Sequence, residues 1–148
     1  MRQYKREIFI GRSRDVVFDY FADMNNITAW APEEFVSVSR VSDGPIALGS
    51  RFEFVTKGAG VRPVFTWDTF DSPVSLTFSG PRLNVGPGWI RGTGGYAFRD
   101  APGGTVVTAW FKPTLGGLLA LMSPFARMRN VRLLGKQLAR AKALIESG

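Results

Sequence analysis

The chain has 148 residues, 45% of them hydrophobic, enough for one domain with a core of its own. It contains no cysteine and no histidine, which excludes disulfides, thiolate zinc sites and a thiol nucleophile, and removes the commonest general base and metal ligand. The net charge of +7 is unevenly placed: residues 112–148 hold seven cations and one anion, and residues 1–111 hold twelve cations and eleven anions.

Met1–Gly11 is charged and lacks the apolar run of a secretory signal. The longest apolar run, Leu115–Met122, is far shorter than the roughly 20 residues of a membrane span. A soluble, cytoplasmic protein is the expectation. Asn26-Ile27-Thr28 has the form of a glycosylation sequon, which carries no weight without a secretory signal.

Tyr4–Gly11 alternates in polarity and predicts a first strand with Ile8 and Ile10 on one face. Ser13 then stands at an N-cap position, and Val16, Val17, Tyr20 and Phe21 recur at helical spacing. Asp23–Asn26 breaks this helix, and a second short one carries Ile27 and Trp30 before Pro32 stops it. From Glu34 the period changes to two, with Val36 and Val38 sharing a face. Asp43-Gly44-Pro45 is turn chemistry. Ser50–Lys57 reads as a strand with Phe52, Phe54 and Thr56 on one side, followed by a hairpin turn at Gly58-Ala59-Gly60. Val61–Phe70 directs Phe65 and Trp67 to one face, and Val74–Ser79 directs Leu76 and Phe78 inward.

Pro81–Gly88 reads as a loop and Trp89–Arg99 as one long strand, with Ile90, Tyr96 and Phe98 on one face. Gly92 and Gly94 fall at inward positions of that strand, where something approaches the backbone closely. Thr105–Pro113 is the last strand, with Trp110 and Phe111 on opposite faces. Ser123–Gly148 closes the chain as one long amphipathic helix opened by Ser123-Pro124. Its apolar stripe is Phe125, Met128, Val131, Leu134, Leu138, Ala141 and Ile145. Gly135 in mid-helix costs roughly 1 kcal/mol relative to alanine, and leaves space for a strand or a ligand. The order predicts an α+β protein: a curved antiparallel sheet, with two short helices after strand 1 and the long C-terminal helix covering the concave face.

Particular residues sharpen this. Ser13-Arg14-Asp15-Val16-Val17-Phe18-Asp19-Tyr20-Phe21-Ala22-Asp23 with Ile27 and Trp30, Gly49 ahead of Phe52 and Phe54, and Gly104-Thr105-Val106-Val107-Thr108 together resemble the START/Bet v 1-like (SRPBCC) superfamily. The likeness is closest to its polyketide cyclase/dehydrase and lipid-transport branch and covers the whole chain. It implies a helix-grip fold, in which a seven-stranded sheet grips the last helix around an apolar cavity. Members bind lipids, sterols, quinones, hormones or polyketides, and only some are enzymes. No universal catalytic set carries over, and enzymes of the superfamily that use a pocket histidine have no counterpart here.

The leading expectation is a non-catalytic carrier of an apolar small molecule (lipid, quinone or polyketide-like). Its cavity lining would be Phe52, Phe54, Phe65, Trp67, Leu76, Phe78, Ile90, Tyr96, Phe98, Met122, Phe125 and Met128, with Tyr96, Thr56 and Thr108 as polar handles. The alternative is a cyclase or dehydratase. It would need a carboxylate base, Asp68 or Asp71, and Tyr96 as donor, but Asp68 points outward by alternation and Asp71 lies in a turn. A third reading sets the basic helix face, Arg129, Arg132, Lys136 and Arg140, against a membrane surface or a partner. That face lacks the interleaved aromatics of a single-stranded nucleic-acid site. No spacing of carboxylates indicates a metal, and no cofactor motif is complete: Gly44–Ser50 has P-loop glycine spacing without the lysine.

Overall fold

The computed structural model describes residues 3–57 and 61–148, and the side chains of residues 122–126 lie outside that description. The expected hairpin turn at Gly58-Ala59-Gly60 is therefore outside the described residues, as are the side chains of Met122 and Phe125.

The chain runs β1 (Tyr4–Ile10), α1 (Arg14–Ala22), a 3-10 turn (Met24–Asn26), α2 (Ile27–Trp30), β2 (Phe35–Arg40), β3 (Arg51–Thr56), β4 (Val64–Asp71) and β5 (Ser75–Ser79). It continues with β6 (Leu83–Val85), β7 (Gly88–Arg91), β8 (Thr93–Ala101), β9 (Gly104–Phe111), β10 (Thr114–Gly117), a second 3-10 turn (Leu118–Met122) and α3 (Ser123–Ser147). Seven strands form one antiparallel sheet in the order β1-β9-β8-β5-β4-β3-β2, as the alternating patterns imply. It curls around α3, and the fold is the expected α+β helix grip.

α3 is seated by Leu134, Leu138, Ala141 and Ile145, all buried with Ile10, Phe98 and Val107 in one core cluster. Their spacing puts them on one stripe of the helix. Gly135 admits β1: a Cβ there would lie 2.5 Å from Arg6 Nη2. The space is filled by a strand side chain, not by a ligand.

Four local expectations are corrected. Ser13 occupies the N-cap position of α1 but makes no side-chain cap bond. The buried face of that helix is Val17, Phe18, Phe21 and Ala22, while Val16 is exposed. Val36 is also exposed, because the β2–β3 register shifts between Phe35 and Ser37 and turns Val36 away from Val38.

The fourth correction is larger. Residues 81–91 are neither a loop nor the start of a long strand. The chain leaves the main sheet after Ser79 and re-enters at Thr93, which pair with each other, and Gly80 N donates to Gly92 O at 3.0 Å. Between them, β6 and β7 form a hairpin, and β10 adds to it as a second, three-stranded sheet. Gly116 makes this possible: its Cα passes so close to the Trp89 indole that a Cβ would overlap the ring.

Truncating Leu138 to alanine removes fully buried apolar volume between α3 and the sheet. Leu138→Ala is expected to lower unfolding stability by about 3 kcal/mol, read from the midpoint of a urea melt.

Candidate cavity between the sheet and the closing helix

α3 and the concave face of the main sheet do not close completely. A partly open cavity of about 160 Å³ remains between them, bounded at one side by α1, α2 and the turn that follows. Its wall is a chain of edge-to-face rings: Phe35–Phe54 at 4.9 Å, Phe54–Phe65 at 5.0 Å and Phe65–Phe78 at 5.4 Å between centroids. Tyr96 on β8 forms the floor, 4.9 Å from Phe21 and 6.4 Å from Trp30. The expected close approach is found at Gly94, where a Cβ would lie 2.7 Å from Phe78 and 2.8 Å from Phe111, but not at Gly92, where it would make an ordinary contact at 3.5 Å from Phe65. Gly80, which the sequence did not single out, is tighter, with a Cβ 2.6 Å from Phe65. Trp67 is fixed by its indole N–H, which donates to Ala22 O at 3.0 Å and ties α1 to β4.

Of the twelve residues expected to line a cavity, Phe54, Phe65, Trp67, Phe78 and Tyr96 do so. Phe52, Leu76 and Phe98 are buried in the core without reaching the cavity, and Ile90 belongs to the three-stranded sheet. Met128 is 61% exposed. The reason is helical phase: Asn130, Leu134 and Gln137 supply the cavity face of α3, and Met128 is about 200° from Asn130 around the axis. Thr56 and Thr108 are not handles. Thr56 donates to Val61 O at 3.0 Å, and Thr108 to Glu7 Oε2 at 3.0 Å on the far side of the sheet. Asp68 and Asp71 are exposed and lie outside the cavity.

The polar end of the cavity consists of Glu34 and Gln137 with the phenols of Tyr4 and Tyr96, of which only Tyr96 was expected as a handle. Glu34 sits in the turn between α2 and β2, which is clamped from both sides. Arg140 Nη1 holds both Glu33 carboxylate oxygens, at 2.8 and 2.9 Å, and Trp30 O at 3.0 Å. Lys57 N donates to Glu34 O at 2.8 Å. Burial above all raises the Glu34 pKa. The Gln137 amide and Arg129 oppose that shift, and the neighbouring Glu33 adds to it. Burial also raises both phenols, Tyr96 and Tyr4, and the charge of Glu34 raises them further. Gln137 is 4% exposed, and its Nε2 reaches no partner at hydrogen-bonding geometry although Glu34 is close enough to feel the amide. Asp23, the second carboxylate of the lining, is occupied as the cap of the first 3-10 turn, accepting from Asn25 N and Nδ2 at 3.0 Å each. Among the described residues no lysine or arginine lines the cavity. Among the described residues there is no cluster of metal-ligating side chains.

The family model for polyketide cyclase/dehydrase and lipid transport proteins matches residues 1–146. The chain belongs to this family. Solved structures agree in fold. Protein TTHA0849 of Thermus thermophilus superposes with a TM-score of 0.73 at 15% identity, over 99% of this chain and 98% of that one. Two di-domain ARO/CYC proteins also match at 15% identity. StfQ of the steffimycin pathway gives a TM-score of 0.71 over 98% of this chain and 50% of its own, and BexL of the BE-7585A pathway 0.68 over 96% and 49%. No curated protein matches the chain in sequence.

The Arg140–Glu33 clamp gives this family member a pH-dependent term in stability. Arg140 holds the Glu33 carboxyl below its ordinary range, so the contribution is present above that range and is lost as the pH falls through the lowered value. Glu33→Gln is therefore expected to lower the Tm at pH 7, with the gap to the parent narrowing below about pH 4. Thermal melts across pH 2.5–7 check this.

Proposed function

We propose that the protein binds an apolar small molecule of one or two rings that carries an acceptor oxygen. The observation that supports this most is the buried, unpartnered Gln137 Nε2 facing an aromatic-walled cavity. A buried donor without a partner costs about 1–3 kcal/mol, and a ligand oxygen supplies the missing acceptor. Volume narrows the class. An apolar cavity of about 150 Å³ holds benzene, and drug-sized ligands take about 300–1,000 Å³. At about 160 Å³ the site suits a quinone or a short aromatic polyketide fragment better than a two-chain lipid. The absence of lysine and arginine among the described residues of the lining disfavours an anionic head such as a fatty-acid carboxylate.

Native mass spectrometry of the purified protein, followed by titration with bicyclic ketones and quinones while following Trp30 and Trp67 fluorescence, tests the reading. Saturable quenching is expected, with Tyr96→Phe and Gln137→Leu each weakening it about three- to tenfold without loss of Tm. An apo mass together with a flat titration would mean that the rings are only core.

A second reading concerns the surface beside this cavity. Leu118 and Leu121 are 63% and 76% exposed on the 3-10 turn before α3, and Met128 is exposed just beyond it. Neither residues 72–99 nor residues 101–145 contain an acidic side chain, while Arg82, Arg91, Lys112, Arg127, Arg129, Arg132 and Lys136 lie within them. Exposed leucines on a surface rich in cations, with Glu33 the acidic neighbour of Arg129, Arg132 and Lys136, suit peripheral contact with an anionic bilayer. Arg140, expected on that face, is instead engaged by Glu33. Flotation with vesicles containing 30% anionic lipid is expected to carry the protein at low salt. At about 1 kcal/mol per cation lost, reversing Arg129, Arg132 and Lys136 to glutamate lowers partitioning by at least about two orders of magnitude. Equal flotation of parent and variant would remove this reading.

A further inference from the structure

We propose that the ligand of this cavity carries a positive charge: a protonated amine that pairs with the Glu34 carboxylate, while the aromatic wall surrounds its apolar body. The inference rests on the ligand reading above and narrows its chemical class.

Three observations meet here. The first is charge. The described lining holds two carboxylates, Asp23 and Glu34, and no lysine or arginine. Asp23 is committed to its cap. Glu34 has no ion pair within 4 Å among the described residues, and its polar neighbour is the neutral Gln137 amide. A neutral ligand would seal this carboxylate from water without compensating it, and a cationic one compensates it.

The second is acceptors. An ammonium has three donors and no acceptor, and a phenol oxygen accepts as well as donates. Beside the Glu34 carboxylate stand the phenols of Tyr4 and Tyr96, both close enough to feel its charge. The third is the rings. Ten lining side chains are aromatic, so a cation beside Glu34 meets ring faces around it. Phe35 follows Glu34 in the chain, and Trp30 and Tyr96 stand 6.4 Å apart. A cation within about 6 Å of a ring centroid is attracted to its face, most strongly out of water.

Buried ion pairs gain little when both partners must be desolvated. Burial already dominates the surroundings of Glu34 in the free protein, so binding costs mainly the hydration of the amine. The same burial raises the Glu34 pKa above its ordinary value. From α3, the Gln137 amide and the exposed Arg129 favour the charged form, and within its own turn Glu33 opposes it. Tyr4 on β1 and Tyr96 on β8 stay protonated at neutral pH, since burial raises both. An ammonium beside Glu34 lowers its pKa again. Amine binding therefore releases a proton wherever free Glu34 is still protonated. Affinity rises with pH through the raised value, then levels off until the amine itself loses its proton.

The test is isothermal titration calorimetry with three compounds on one bicyclic skeleton: 2-aminotetralin, 2-tetralol and 2-tetralone. Near pH 8 the parent protein is expected to bind the amine about tenfold tighter than the alcohol, or more. Toward about pH 5 the amine should weaken and its heat should depend on the buffer, as proton release requires, while the alcohol stays unchanged. Glu34→Gln should abolish the preference for the amine and still bind 2-tetralone. The comparison of amine with alcohol uses the parent alone, so it decides the proposal whatever the stability of the variant. An alcohol bound as tightly as the amine overturns the proposal, and so does a preference that survives in Glu34→Gln. With 2-tetralone bound in either case, the ligand reading stands. Failure of all three compounds to bind overturns both.

Discussion

The structure depends on one helix being seated in one sheet. The concave face of the seven-stranded sheet is apolar, and only α3 is long enough to cover it. Leu134, Leu138, Ala141 and Ile145 provide the seat, and Arg6 of β1 crosses the helix at Gly135. With those contacts made, the helix axis is fixed, and so is what its remaining faces can reach. The cavity is where this packing stops. Toward its N-terminal half, α3 presents Asn130 and Gln137 around Leu134, and the sheet presents rings that meet each other edge to face rather than meeting the helix. The same burial that stabilises one end of the helix leaves space at the other.

Electrostatics divides the molecule in two. The outside of α3 and the three-stranded sheet are cationic, and the cavity has carboxylates and phenols with no cation among the described residues. A single ion pair stands between the two regions: Arg140 reaches inward to Glu33, and the turn it holds carries Glu34 on its cavity side. The basic composition thus describes the surface and says nothing of the site, whose polar chemistry rests on four side chains contributed by β1, β8, α3 and the turn after α2.

Much of the fold was legible because its signals are periodic. Alternation assigned the concave face of β3, β4 and β5 and found Phe54, Phe65, Trp67 and Phe78. It failed where one residue breaks the period. The β2 bulge put Val36 outside, and the Gly80–Gly92 closure turned an apparent loop and strand into a hairpin of a separate sheet. The site was less legible. Glu34 gave no signal, since a glutamate just before a strand is ordinary and the contacts that hold its turn, from Lys57 N to Glu34 O and from Arg140 to Trp30 O, are remote in sequence. Gln137 did leave one. It is a polar residue one position from the stripe through Leu134 and Leu138, and inward polar positions are rare without a role. Met128 was misassigned because repeated i+3 steps carried the stripe around the helix, away from the phase of Asn130, Leu134 and Gln137.

The central claim is that the Gln137 amide waits for a ligand oxygen. The chain has only two glutamines, Gln3 and Gln137, and Gln3 is exposed, so their side-chain NH₂ resonances can be told apart by one substitution. The decisive measurement is a ¹⁵N–¹H spectrum during titration with a bicyclic ketone. The account predicts that the Gln137 NH₂ pair moves downfield with saturation while the Gln3 pair stays still. A saturating ligand that leaves the Gln137 pair unmoved would contradict it.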